Sequence, residues 1–103
     1  MTRPLRIDIA LRARRQITDL QAWWRVHRTA ARGAVQQELA RVFRLLARQP
    51  LAGSCALDSD LAEVRRIHLS KLRHYLYYRL LESGDAIEVL AVWSDSRGEG
   101  PPL

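Results

Sequence analysis

Residues 64–93 of this chain read VRRIHLSKLRHYLYYRLLESGDAIEVLAVW, and this stretch decides the fold. Three runs in it are rich in the aliphatic and aromatic residues that strands favour, and short polar breaks separate them. The pattern predicts three antiparallel strands, near residues 63–70, 74–82 and 86–93. Two tight turns should connect these strands, one at Ser70–Arg73 and one at Glu82–Asp85.

The N-terminal half carries two further kinds of periodicity. Apolar residues alternate with polar or small ones from Leu5 to Leu11, which predicts a strand with one buried face. Apolar residues then recur at helical spacing, which predicts a helix from about Arg14 to His27 and a second from about Ala31 to Arg48. Thr29 is the expected N-cap at the corner between them, and Pro50 should stop the second helix.

Together these elements predict an α+β fold with the order β-α-α-β-β-β. The N-terminal strand should complete a four-stranded, mainly antiparallel sheet. The helical hairpin should pack on one face of this sheet. Residues 51–60 are expected to form a loop, and the tail from Ser94 to Leu103 should lack regular structure because it holds two glycines and two prolines. We expect one domain over residues 1–103.

Composition excludes several classes of protein. About half of the residues are apolar (48%), which argues against disorder, and no run is long enough to span a membrane or to serve as a secretory signal. A single cysteine cannot form an internal disulfide, which fits the cytoplasm. No phosphate-binding loop, metal-ligand cluster or nucleophile motif occurs, so we expect no cofactor, no metal and no catalytic residue of the common types.

Charge is unevenly distributed along the chain. Residues 1–50 hold eleven arginines and three acids, a net charge of +8, whereas residues 51–103 carry −2. The basic half suggests an anionic partner, either nucleic acid or an acidic protein segment. The alternative is that the arginines only form the solvated faces of the helices and indicate no anionic partner.

The last three strands should leave one sheet face open. Alternation separates Leu76, Tyr78 and Leu80, the expected core face, from the side chains on the opposite face. The opposite face should carry Arg66, His68, Tyr75, Tyr77 and Arg79. Basic and aromatic side chains in this arrangement can bind phosphates and stack bases, or bind an acidic amphipathic peptide. An ordinary solvated sheet face is the third interpretation.

The ordered set of motifs resembles the RelE/ParE toxins of type II toxin–antitoxin systems. The resemblance rests on Ala-Trp-Trp-Arg in the first helix, on Val64–Arg66, on His74–Arg79 and on Glu88–Trp93. The ending Arg-Gly-x-Gly-Pro-Pro-Leu at Arg97–Leu103 is similar to ParE-like members. The resemblance covers essentially the whole chain and implies the β-α-α-β-β-β fold.

The resemblance implies one of two activities. RelE-type members are ribosome-dependent mRNA endonucleases, and ParE-type members poison DNA gyrase without established catalytic residues. Arg66 and His68 match two basic positions of the nucleases in type. Tyr75 and Asp95 stand where those nucleases place arginine, and an acid there would repel the charge of a phosphorane. The comparison favours the ParE-type activity, so that the chain is not expected to be an enzyme; a nuclease would use Arg66, His68 and Arg79.

The resemblance also implies partners. A cognate antitoxin should neutralise the toxin with an acidic, amphipathic C-terminal segment, and gyrase, or alternatively the ribosome with its mRNA, should be the target. A module that only binds antitoxin, without toxicity, is a further alternative. The residues expected to form the groove for target or antitoxin are Arg66, His68, Tyr75, Tyr77, Arg79, Trp93 and Arg97.

Overall fold

The structure, a computed structural model, describes residues 3–31 and 33–103. In chain order the elements are β1 (Arg6–Ile9), α1 (Leu11–His27), a 3-10 turn (Thr29–Ala31), α2 (Ala34–Arg48), β2 (Ser54–Cys55), β3 (Arg65–Leu69), β4 (His74–Leu80) and β5 (Ala86–Ser94). The strands form one sheet in the order β1-β5-β4-β3-β2. The predicted α+β class and the three strands after residue 63 are confirmed.

The sheet has five strands, so the prediction of four is wrong. The additional strand is β2, which lies inside the segment predicted to be a loop. Its Ser54 and Cys55 pair antiparallel with Arg66 and Arg65 of β3. Two residues are too few to show a two-residue periodicity, and a Gly-Ser-Cys-Ala sequence is not typical of a strand. Only the neighbouring β3 makes this segment extended.

The first strand and the first helix also differ from prediction. β1 ends at Ile9, and Leu11, expected to be its last apolar residue, begins α1 with its side chain 63% exposed. Ala10 makes the change of direction: its N–H donates to Val89 O at 2.9 Å, and its carbonyl accepts the N–H of Arg14. The spacing of Leu11 fits the alternating pattern of the sequence, but the residue does not belong to the strand.

The corner between the helices has no side-chain cap. Thr29 lies in the 3-10 turn, and α2 begins at Ala34 after Gly33, which makes no capping side-chain hydrogen bond. The predicted N-cap and the predicted start near Ala31 are therefore wrong, and Arg32 lies outside the described residues. Gly33, which directly precedes α2, has no side chain that could cap the helix, and the Thr29 hydroxyl lies too early in the chain to do so.

Helices α1 and α2 cover one face of the sheet and enclose the main core. The buried side chains include Ala13, Leu20, Val35, Leu39, Val42 and Leu46 from the helices, Leu72 from the turn before β4, and Leu69, Leu76, Tyr78, Ile87, Val89 and Val92 from the strands. Leu80, predicted to belong to this core face, is 40% exposed, because it lies at the end of β4. We call the opposite side, which carries Arg66, His68, Tyr75, Tyr77, Arg79 and Trp93, the outer face.

A bulge in β5 sets which residues reach each face. Tyr77 pairs with Ala91 and Tyr78 with Val89, so Leu90 has no partner on β4. The extra residue places Leu90 and Ala91 together on the outer face, while Val89 and Val92 both reach the main core.

Tyr78 fastens the chain after α2 to the sheet from inside the core. Its hydroxyl donates to Pro50 O at 2.8 Å and accepts from Gly53 N–H at 2.9 Å. Gly53 is required at this approach, because a Cβ there would lie 2.7 Å from both the Tyr78 hydroxyl oxygen and Arg66 O. This contact holds the segment that leads into β2.

Tyr78→Phe should lower the free energy of unfolding by about 1–3 kcal/mol, because the buried Gly53 N–H loses its acceptor. Chemical denaturation of wild type and variant measures the loss. Tyr75→Phe is the matched control, since the Tyr75 hydroxyl makes no hydrogen bond within residues 3–31 and 33–103, and it should cost less than about 0.5 kcal/mol. Equal stability of Tyr78→Phe and wild type would contradict this role.

Candidate functional site

The strand register brings most of the predicted groove residues onto the outer face. Arg66 lies opposite Tyr77 and His68 opposite Tyr75 across the β3–β4 pair. Across the β4–β5 pair, Tyr75 lies opposite Trp93 and Arg79 opposite Glu88. Arg97 joins them from the tail, where its guanidinium lies 4.0 Å from the centre of the Trp93 ring.

Tyr77 is on this face but is not open to a ligand. Its side chain is only 1% exposed and packs with Ala56, Val64, Leu90 and Ala91 in a second, smaller core. The segment after β2 and the C-terminal tail build this core by folding over the sheet. The expectation that Tyr77 lines an open groove is therefore wrong, because two segments without strong secondary-structure signals cover it.

Asp58 is the residue that organises this covered region. Its Oδ2 accepts a hydrogen bond from the Tyr77 hydroxyl at 2.6 Å and lies 3.3 Å from Arg66 Nη1. Gly100 of the tail packs so closely that a Cβ there would lie 2.4 Å from Asp58 O. No local pattern predicts this role for Asp58, since an aspartate in a loop is usually a cap or a solvated residue.

Arg66 is held on three sides. Its guanidinium lies 4.0 Å from the centre of the Tyr75 ring, and Nη1 contacts both Asp58 and the Tyr77 hydroxyl. The hydrogen bond with Tyr77 is the main cause that raises the pKa of Arg66. The charge of Arg66 is thus fixed in place and matched by a carboxylate.

His68 and Asp95 form a second pair on the outer face. His68 Nε2 lies 2.8 Å from Asp95 Oδ2, and the His68 ring is 4.9 Å from that of Tyr75. The N–H of Asp95 donates to Arg73 O at 3.0 Å, so the backbone holds this carboxylate beside the imidazole. Asp95 therefore brings negative charge to the His68–Tyr75 cluster.

Arg79 makes a third pair, away from the first two. Its Nε and Nη2 both donate to Glu88 Oε1, at 3.1 and 2.9 Å. Arg79 is four residues beyond Tyr75 along β4, or about 13 Å at the rise of a strand. Arg79 is therefore far from His68, which lies opposite Tyr75, and its guanidinium is bound to Glu88.

The C-terminal tail is ordered by packing although it contains no helix or strand. Trp93 Nε1 donates to Glu99 O at 2.9 Å, and Arg12 of α1 donates to Pro102 O. Pro101 is buried, and Leu103 packs against the small core of the outer face. The prediction of irregular structure is confirmed for residues 95–103, whereas Ser94 is the last residue of β5. Residues 95–103 form a strap across the sheet.

The outer face is consequently close to charge balance. Arg66 pairs with Asp58, His68 with Asp95 and Arg79 with Glu88. Among the described residues no three His, Cys, Asp or Glu side chains lie close enough to hold a metal ion. None of the helices that the structure describes is both long and apolar enough to cross a membrane.

The buried tyrosines predict how stability depends on alkaline pH. Burial, the largest cause, raises the pKa of Tyr77 and of Tyr78 above the ordinary 10.0, and the hydrogen bond to Asp58 raises that of Tyr77 further. Unfolded phenols ionise near pH 10, so above this pH the unfolded state has lost protons that the folded state retains. Stability should fall as pH rises, by up to about 1.4 kcal/mol per pH unit for each such phenol.

Tyr77→Phe should flatten this alkaline loss relative to wild type, because it removes one of the two buried phenols whose pKa is raised. Denaturant unfolding at several pH values between 9 and 11 measures both slopes. An identical slope in Tyr77→Phe and wild type would show that the Tyr77 phenol is not shielded as the packing indicates.

Several solved structures share this fold. The chain aligns with the "Chromosomal ParDE TA system from P. aeruginosa" at a TM-score of 0.69 and 16% identity, over 90% of this chain and 98% of the other. It aligns with the "YoeB/ParE toxin from Agrobacterium tumefaciens" at 0.61 and 22%, over 87% and 98%. The intact E. coli RelBE toxin–antitoxin complex gives 0.52 and 18%, over 90% and 99%. At these identities the likeness shows the fold alone.

Sequence comparison supplies the family. No curated protein matches the chain significantly in sequence. Residues 7–98, by contrast, match the family described as "ParE toxin of type II toxin-antitoxin system, parDE". Because this match spans nearly the whole sequence, from β1 through the outer-face residues to the start of the tail, the chain belongs to the ParE toxin family.

Proposed function

We propose that this chain is a toxin that inhibits DNA gyrase by binding it, and that it does not cleave mRNA. The observation that carries the proposal is the pairing of the basic side chains of the outer face with fixed carboxylates. Cleavage beside a 2′-hydroxyl produces a phosphorane, which needs cations free to approach it. Asp58 and Asp95 lie against Arg66 and His68, where a negatively charged substrate would meet them.

Displacing these carboxylates would cost more than an exposed ion pair does. An exposed pair contributes only about 0.2–1 kcal/mol. Asp58, however, also accepts the 2.6 Å hydrogen bond of the nearly buried Tyr77 hydroxyl, and Gly100 packs against its backbone. An RNA phosphate that took Asp58's place at Arg66 would leave that hydroxyl without its acceptor, which adds about 1–3 kcal/mol.

Gyrase binding would use the exposed part of the outer face and the strap. Tyr75, Trp93 and Arg97 form a continuous aromatic and cationic surface, since Trp93 faces Tyr75 across the strands and Arg97 covers the Trp93 ring. Trp, Tyr and Arg contribute most to protein–protein binding energy because they combine large apolar area with hydrogen-bonding groups. Arg66 and His68 would flank this surface. The cytoplasm, where gyrase works, would be the place of action.

A cognate antitoxin is the second partner in the proposal. An acidic, amphipathic segment would be attracted by the basic N-terminal half, which carries +8 over residues 1–50. The outer face has little unpaired positive charge to offer such a segment. The exposed arginines Arg15, Arg25, Arg28, Arg44 and Arg48 make no ion pair within the described parts of the chain.

A ribosome-dependent endonuclease is the alternative activity. The observation in its favour is the close grouping of Arg66 and His68 around the Tyr75 ring. Arg79 would have to leave Glu88 to assist them, and the face offers no arginine in place of Asp95. A module that binds antitoxin without being toxic would show neither activity.

Purified protein added to a gyrase supercoiling reaction should inhibit it and accumulate cleaved DNA. The same preparation added to a translation extract should leave mRNA uncut in primer extension. Codon-specific cuts that disappear in Arg66→Ala/His68→Ala, with gyrase unaffected, would overturn the proposal in favour of the nuclease. Absence of both effects would favour the non-toxic module.

Arg97→Ala should weaken gyrase inhibition about fivefold or more, since it removes the guanidinium that covers Trp93 at the centre of the proposed contact. Arg48→Ala, an exposed arginine at the end of α2, is the control and should change inhibition less than about twofold. Equal loss in both variants would point to general charge and not to the outer face.

A further inference from the structure

The short strand β2 leaves one edge of the sheet open. It lies at the end of the strand order and, within the described chain, pairs with β3 alone. Ala56 donates its N–H to Val64 O at 2.9 Å, which continues this pairing beyond the strand. Because successive residues of a strand direct their backbone groups to opposite sides, the N–H and the carbonyl of Cys55 face away from β3. The open edge therefore offers a hydrogen-bond donor and an acceptor from the same residue.

Apolar side chains surround this open edge. Leu57, two residues after β2, is 95% exposed, and Leu51 and Leu80 are exposed beside it. Exposed apolar residues that occur together mark an interaction surface. The three leucines border a pocket of about 550 Å³, whose wall is completed by smaller or less exposed apolar residues: Ala56, Leu61 and Val64. Leu57 therefore protrudes beside a recess that is large enough to receive a leucine side chain.

A protruding side chain and a recess on the same patch suit a second copy of this chain. In a pair related by a two-fold axis, every contact occurs twice with the roles of the two copies exchanged. Leu57 of each copy can then enter the pocket of the other copy. An unrelated protein would have to supply both a protruding apolar side chain and a recess at matching places.

The backbone of β2 agrees with such a pair. When two β2 strands pair antiparallel about an axis at Cys55, the two Cys55 residues lie opposite each other and exchange both of their N–H···O bonds. The same register brings Leu57 of one copy opposite Gly53 of the other, two residues from Leu51. The pairing of the backbones and the insertion of Leu57 into the pocket are thus compatible.

Charges beside the pocket are complementary across the same axis. Glu63 and Arg65 line the pocket, and neither is in an ion pair within the described residues. Arg65 Nη1 donates to Gly53 O at 2.7 Å, which holds its guanidinium at the open edge. The β2–β3 register carries Glu63 to a position beside Leu57, which in the pair lies opposite Gly53 of the other copy. Each Glu63 would therefore meet the Arg65 of the other copy.

We propose that two copies of this chain associate through the open edge of β2, with Leu57 of each copy in the pocket of the other. The two-fold axis passes Cys55, and Glu63 of each copy faces Arg65 of the other. β3 and β4 separate β2 from β5, so the aromatic surface of the outer face stays uncovered in the dimer. The inference goes beyond the proposed function, which requires only one copy.

Sedimentation velocity of the full chain measures the association. Wild type should pass from monomer to dimer between about 1 and 100 µM, the range of a small and reversible interface, without larger species. Leu57→Asp should raise the dissociation constant about tenfold or more, because it places a carboxylate in the apolar pocket. Glu63→Arg should raise it about fivefold, because an attraction becomes a repulsion.

Val26→Asp is the matched control for Leu57→Asp. Val26 lies on α1, is also exposed, and its replacement changes the net charge by the same amount. It should change the dissociation constant less than about twofold. Both substituted side chains are exposed in the monomer, so the variants should fold like wild type, and circular dichroism verifies this.

Cross-linking reports the position of the axis, because Cys55 is the one cysteine of the chain and is exposed. Opposite residues of an antiparallel pair have Cα atoms about 5.5 Å apart, a distance that a disulfide can span. Under copper–phenanthroline, two Cys55 thiols should lose two protons and two electrons to the oxidant and form a covalent dimer. The control, Cys55→Ser/Ser70→Cys, moves the thiol to the exposed turn before β4 and should cross-link about tenfold more slowly.

Four results would overturn the proposal. One is a chain that stays monomeric up to about 100 µM. Another is equal weakening by Leu57→Asp and Val26→Asp, which would mean that the patch is not the contact. The third is the formation of species larger than a dimer, which would mean a head-to-tail contact. The fourth is equally fast cross-linking of the Cys55→Ser/Ser70→Cys variant. Gyrase inhibition is measured in a separate reaction, so neither result depends on the other.

Discussion

β1 and β5 pair in parallel over only four residues, from Arg6 opposite Ala86 to Ile9 opposite Val89. This pairing joins the two ends of the chain and therefore requires a crossover, which α1 and α2 supply on one face of the sheet. The other face is left to β2, the segment after it and the C-terminal tail. Because β1 is short, the last part of β5 extends beyond it, and α1 lies beside this part of β5.

The two sides of the molecule offer different electrostatics to a partner. On the outer face, Arg66 and His68 are each matched by a carboxylate held from elsewhere in the chain, Asp58 by Tyr77 and Asp95 by the Arg73 carbonyl. Such a face favours contact through aromatic and guanidinium surface over chemistry on a phosphate. On the helical side, arginines remain exposed and positive charge is available to an acidic partner.

The sequence was sufficient for the parts of the fold that depend on local periodicity. The turns flanking β4, the face shared by Arg66 and His68, and the helical stripe around Leu39 and Val42 all follow from spacing. The tail was correctly expected to be irregular, and the order β-α-α-β-β-β lacked only β2.

What the sequence could not supply are contacts between distant segments. Ser54 and Cys55 become a strand only beside β3, and Tyr77 is buried only because residues 56–64 and the tail cover it. Asp58 is separated from Tyr77 by nineteen positions and from Gly100 by more than twice as many, so no local pattern announces that they meet. The bulge at Leu90 likewise arises from pairing and has no signature in a continuous apolar run.

The central claim is that this fold acts here as a binding toxin with a charge-balanced outer face. The most direct measurement is to induce the chain alone in a bacterium and follow the incorporation of labelled thymidine and labelled methionine over the first minutes. The account predicts that DNA synthesis falls first while translation continues. Translation that stops first, with DNA synthesis still running, would contradict it.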